Sequence, residues 1–90
     1  MRPTDKPRQR ADYRLEQLDD ELLLYHPNET KILYLNPTAS LIWGLCNGER
    51  SVQEITSLLQ DAYPEAGQEI ASDVQATLEQ FKENGCIELA

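Results

Sequence analysis

Between Lys31 and Trp43 the chain changes its structural character without a loop. Lys31-Ile32-Leu33-Tyr34-Leu35 is a short apolar run of strand type, and Asn36-Pro37-Thr38-Ala39 follows at once. Asn36 can cap a helix by accepting a backbone N–H from its first turn. Pro37 suits the first helical position because it has no N–H to lose. The junction therefore fixes where a sheet ends and a helical region begins.

Upstream of it, Tyr13-Arg14-Leu15-Glu16-Gln17-Leu18 alternates, with Tyr13 and Leu15 on one face and Arg14 and Glu16 on the other. That pattern suits an edge strand with one wet face. Asp19-Asp20 turns tightly into a second strand, Glu21-Leu22-Leu23-Leu24-Tyr25-His26. Pro27-Asn28-Glu29-Thr30 is turn chemistry, and Lys31–Leu35 returns as a third strand of an antiparallel meander. The second and third strands are apolar on both faces. Leu22 and Leu24 oppose Leu23 and Tyr25, while Leu33 and Leu35 oppose Ile32 and Tyr34. A sheet with one wet face alternates cleanly, so the extra apolar groups call for cover by helices, a homodimer mate or a bound chain.

Three helices are predicted downstream. The first runs from Pro37 to about Cys46, with Ala39, Ile42, Trp43 and Cys46 on one side and a stop at Asn47-Gly48. Ser51-Val52-Gln53-Glu54 is a capping box that opens the second, which is expected to bury Val52, Ile55, Leu58 and Leu59 and to end near Tyr63-Pro64. The third spans about Gln68 to Asn84, with a stripe of Ile70, Val74, Thr77, Leu78 and Phe81, and Gly85 ends it. Cys86-Ile87-Glu88-Leu89 is a short extended piece. The predicted fold is α+β and winged-helix-like: a three-stranded antiparallel N-terminal sheet followed by a three-helix bundle.

A chain of 90 residues makes one domain, and one this short buries only about 60–65% of its unfolded surface. Residues 1–11, rich in Pro, Arg, Lys and Gln, are expected to be a flexible basic tail, and residues 12–90 the folded domain. The net charge is −8. Beyond the first ten positions, four basic side chains face fifteen acidic ones, a net charge of −11. So acidic a body repels phosphate backbones, and the third helix carries Glu69, Asp73, Glu79 and Glu83 against only Lys82. Nucleic acid is not the expected partner. No apolar run approaches the ~20 residues that span a bilayer, and the N-terminus lacks a secretory pattern, so no membrane partner and a cytoplasmic location are expected.

Catalytic chemistry is nearly silent. The single histidine, His26, lies at a strand end before Pro27, and no phosphate-binding glycine loop exists. Cys46 and Cys86 stand forty positions apart without metal-ligand spacing and read as reduced, partly buried thiols. The acids are spread without a clustered ligand set. The chain is expected to be no enzyme and to carry no cofactor or metal.

The segments taken together resemble the PqqD-like family, known more broadly as the RiPP recognition element, which binds leader peptides of ribosomally made, post-translationally modified peptides. The resemblance covers roughly residues 13–89. It rests on Asp20-Glu21 before the Leu22–Leu24 strand, on Tyr34-Leu35-Asn36-Pro37-Thr38-Ala39, and on Asn47-Gly48-Glu49-Arg50-Ser51-Val52-Gln53-Glu54-Ile55. Asp73-Val74 and Asn84-Gly85-Cys86-Ile87 continue it, while Trp43 and Thr77 replace plain aliphatics. It implies that a leader peptide adds a strand along Lys31, Ile32, Leu33, Tyr34 and Leu35. The opposing wall would come from Asp73, Val74, Thr77, Leu78 and Phe81 of the third helix. It also implies delivery of that precursor to a separate modifying enzyme, by analogy a radical SAM protein, as in PQQ or related natural product biosynthesis. A winged-helix transcriptional regulator and a structural subunit of an enzyme complex are the alternatives. One of Ile32 and Tyr34 is expected to point its N–H toward the incoming chain and the other inward.

Overall fold

The computed structural model describes all ninety residues, Met1–Ala90. Strand β1 is Pro7–Gln9, β2 is Arg14–Leu18, β3 is Glu21–Tyr25 and β4 is Ile32–Leu35. Helices α1 (Pro37–Leu45) and α2 (Val52–Ala62) follow, then a single 3₁₀ turn at Pro64–Ala66, α3 (Gly67–Glu83) and a last strand, β5 (Ile87–Leu89). The α+β architecture is the predicted one. β2, β3 and β4 form the antiparallel meander in that spatial order, so β4 lies at an edge.

Local chemistry explains the boundaries. Asn36 Oδ1 accepts the Ala39 N–H at 2.7 Å, with Pro37 at the first helical position of α1. At α2 the capping box is complete: Ser51 Oγ accepts from the Glu54 N–H, and Glu54 Oε1 accepts from the Ser51 N–H. The Ser51 N–H, and after it the Ser51 side chain, favour the ionised carboxylate and hold the Glu54 pKa below its ordinary value. α3 ends in a Schellman motif, in which Gly85 at φ 72° lets the Cys86 N–H reach the Phe81 carbonyl and its own N–H reach Lys82.

The core lies between the helices and one face of the sheet. Ile42 and Trp43 of α1, Val52, Ile55 and Leu59 of α2, and Ile70, Val74, Leu78 and Phe81 of α3 are buried together with Leu24 and Leu35. Leu58, expected inside, is instead 45% exposed. Tyr13 ties sheet to helices: its ring meets Trp43 edge-on, Trp43 meets Phe81, and its hydroxyl donates to the Asn84 carbonyl.

The N-terminal segment corrects the expectation of a free tail. Pro7–Gln9 pairs antiparallel with Ile87–Leu89. On its other side the Gln9 N–H donates to the Cys46 carbonyl, and the Gly48 N–H donates to the Pro7 carbonyl. Gly48 sits at φ 80° with the Arg8 side chain close above it, a place where a Cβ would be crowded. Upstream, the carbonyls of Asp5 and Pro3 accept from the N–H groups of Val52 and Gln53, which open α2 and have no partner inside the helix. The segment binds largely through its backbone and the buried Pro7 ring, with Gln9 Nε2 donating to the Trp43 carbonyl, Arg8 paired with Glu88 and Met1 packed against the core. Periodicity cannot show such a contact.

Candidate peptide-docking edge

The two-residue turn of the β2–β3 hairpin sets the geometry of the edge. Leu18 pairs with Glu21 across Asp19-Asp20, and Asp19 takes the left-handed φ of 54° at the first turn position. A two-residue loop makes Leu18 and Glu21 the hydrogen-bonded pair that closes the hairpin. Antiparallel ladders alternate, so Glu21, Leu23 and Tyr25 exchange bonds with β2, while Leu22 and Leu24 turn theirs toward β4. Their register partners there are Leu35 and Leu33. The N–H and C=O groups of Ile32 and Tyr34 therefore both point outward. The expectation that one of this pair faces inward is corrected: residues two apart in a strand share a direction.

Side chains split the sheet into two faces. Leu22, Leu24, Leu33 and Leu35 share the inner one, where Leu24 and Leu35 join the core and Leu22 and Leu33 pack against it. Leu23, Tyr25, Ile32 and Tyr34 share the outer one. There Leu23 is buried among its neighbours while Ile32 and Tyr34 are 50% and 68% exposed. Tyr25 donates to Glu16 at 2.7 Å, a bond that holds its phenol pKa above the usual value. The helices cover only one face, so the apolar excess of the strands is half accounted for within the chain.

The expected site residues divide accordingly. Ile32 and Tyr34 are accessible on the edge, Leu33 is half-buried, Leu35 is core, and Lys31 is exposed just before the strand. On α3, Asp73 is exposed and Thr77 half-buried. Val74, Leu78 and Phe81 have no exposed surface at all. Their assignment to a peptide-facing wall is corrected: they hold α3 to the other helices, and nothing outside can touch them.

Two hollows escape sequence reasoning because each is built from separate helices. One, of about 230 Å³, is lined by Leu59, Tyr63 and Ile70, with Glu69 and Asp73 beside them and Thr38 from the start of α1. The other, of about 540 Å³, is an apolar groove between α1 and α2 that includes Leu41, Gly44, Leu58 and Tyr63. Leu58, which its spacing placed in the buried stripe of α2, is instead exposed and lines this groove.

The reactive groups have structural explanations. Burial pushes the Cys46 thiol up to about 12, and its Sγ lies 3.2 Å from the Ile42 carbonyl as a neutral donor. Burial also raises the Cys86 pKa. Both cysteines are free. His26 Nδ1 accepts from the Asn28 N–H within its turn, and its Nε2 lies 3.6 Å from Asp12. No three His, Cys, Asp or Glu side chains gather into a metal-holding group. No helix is long and apolar enough to cross a membrane.

A small α+β domain with an open, uncharged strand edge defines a class of protein suited to pairing with extended chains. The chain belongs to the PqqD family, described as coenzyme PQQ synthesis protein D, whose pattern matches residues 21–87. Its fold is similar to that of TbiB1, solved in complex with the TbiA(beta) leader peptide. The TM-score is 0.71 at 20% identity, over 90% of this chain and 94% of that one. Curated protein sequences yield no significant match.

Proposed function

We propose that this protein is a non-catalytic RiPP recognition element that captures the leader of a ribosomal precursor peptide by strand addition. The observation that carries the reading is the β4 edge. Ile32 and Tyr34 direct their main-chain groups outward, and no residue of the strand is charged. An incoming strand gains generic affinity from main-chain bonds and selectivity from alternate side chains. Family membership supports the reading, as does the likeness to a fold that was solved holding a leader peptide.

The bound precursor is presented to a separate modifying enzyme, a radical SAM protein of PQQ or related peptide-derived natural product biosynthesis. Holding the leader on a short tether keeps the core peptide near that active site at roughly millimolar local concentration. Leu35 and the helices anchor the edge, Asp73 and Thr77 form the reachable part of α3, and Lys31 lies at the strand's entrance.

The test is titration of synthetic leaders of candidate precursors with the natural protein and with Tyr34→Pro. The proline removes one outward N–H and its ring obstructs the approaching chain. Losing one or two ladder bonds weakens binding roughly ten- to a hundredfold, with the fold intact by circular dichroism. Equal affinity for both proteins rejects β4 as the docking edge. Salt-sensitive micromolar binding to arbitrary duplex DNA would favour the regulator instead, against the repulsion of a body with a net charge of −11 beyond residue 10.

A further inference from the structure

The smaller hollow lies where the start of α1, the end of α2 and the start of α3 meet. Thr38, one of its lining residues, is only three residues past Leu35, so this wall of the hollow lies within about 11 Å of the end of β4. Its volume of about 230 Å³ is below the ~300 Å³ at which drug-sized ligand pockets begin. It has room for one long side chain.

The chemistry of the walls is mixed in a particular way. Leu59 and Ile70 are each only 5% exposed and form an apolar floor, with the Tyr63 ring alongside. Glu69 and Asp73 stand one helical turn apart on α3, about 6 Å between their Cβ atoms, and both are exposed and line the same hollow. Neither takes part in an ion pair. The nearest cation on the helix, Lys82, is nine residues beyond Asp73, about 13 Å along the axis. An apolar floor under two unpaired carboxylates fits a side chain with an aliphatic stem and a cationic head. A leucine or phenylalanine would fill the floor but gain nothing from the two carboxylates, which stay hydrated.

We infer that this hollow receives one lysine or arginine of the leader peptide, placed just beyond the segment that pairs with β4. The inference rests on the leader-binding reading and adds a selectivity element to it. The pairing strand supplies affinity, and the basic residue fixes register along the edge.

The experiment uses a displayed library of random linear peptides, selected on the whole protein. Peptides that lose binding to Tyr34→Pro are kept, and each basic residue in them is replaced in turn by norleucine, which keeps the stem and removes the charge. The expected result is a lysine or arginine at one fixed distance from the paired segment. Its norleucine replacement weakens binding about fivefold on the natural protein and leaves binding to the Glu69→Gln, Asp73→Asn double variant about unchanged. Both substitutions are at exposed positions, and circular dichroism verifies that the variant is folded. If the kept peptides show no such residue, prefer an apolar one there, or lose equally on both proteins, the hollow is not a basic-residue site and the leader-binding reading stands. If no peptide depends on Tyr34, the leader-binding reading fails and this inference fails with it.

Discussion

The β2–β3–β4 sheet has two edges, and they differ in composition more than in exposure. β2 reads Arg-Leu-Glu-Gln-Leu, with every residue exposed. β4 reads Ile-Leu-Tyr-Leu and carries no charge. Soluble proteins guard sheet edges with charged side chains because unpaired main-chain groups invite other chains. β2 follows that practice and β4 does not. β1 adds a third arrangement, since it is paired on both sides, by β5 and by the Cys46–Gly48 segment. The chain protects one strand by charge and one by enclosure. The strand left unprotected is the one beside the helix junction, which is the reason to assign it a partner.

The largest effect expected from breaking this comparison lies within β4 itself. Leu33 directs its N–H toward β3 and its side chain toward the core, so Leu33→Pro removes a ladder bond and a half-buried leucine. The loss is on the order of 4 kcal/mol, close to the whole stability of a domain this small, about 5 kcal/mol at the low end. Its thermal transition should vanish or fall sharply, while that of Tyr34→Pro stays near the parent's. If both variants unfold alike, the alternation derived from the hairpin turn is wrong.

Removal of residues 1–10 comes next. It strips the backbone caps from Val52 and Gln53, the partner from β5, and the buried Pro7. A loss of about 3 kcal/mol is expected, less than the sum of those bonds because the truncated chain no longer bears the entropic cost of ordering that segment. Denaturant titration measures it. A truncated protein of unchanged midpoint would restore the picture of a free tail.

Exchanging the character of the two edges has a smaller effect. Ile32→Glu gives β4 the guard that β2 already has. It should weaken leader binding about tenfold while changing stability by about 0.5 kcal/mol or less, since the site is exposed. On the opposite edge, Gln17→Pro blocks an outward N–H of β2 and should leave leader binding unchanged. Equal loss of binding in the two variants would mean that the peptide does not distinguish the edges.

What could be read in the sequence was whatever is settled within a few residues. Asn36-Pro37, the Ser51–Glu54 box and Gly85 each satisfy neighbouring backbone groups, so their pattern carries its own physics. The stripe of α3 is different. A helical period places Val74, Leu78 and Phe81 on one face but does not say whether that face meets a core or a peptide, and here it meets the core. The docking of β1 depends on backbone bonds to residues at the far end of the chain and has no periodic signature. The basic-residue hollow draws on three helices, and only the packing brings Thr38, Leu59 and Asp73 together.

The smallest expected effect concerns the turn on which the whole edge geometry depends. Asp19 occupies a left-handed φ of 54°, a conformation that a side chain enters at some expense and glycine enters freely. Asp19→Gly should therefore stabilise the hairpin by about 0.5 kcal/mol, the relief of strain partly offset by the greater freedom of glycine in the unfolded chain. The turn keeps its length of two residues, so Leu18 still closes on Glu21 and the alternation through β3 to β4 is unchanged. Leader affinity should then equal the parent's while the melting temperature rises slightly. A change in affinity without loss of fold would show that the turn does more than set the register. The outward direction of Ile32 and Tyr34 would then need another cause.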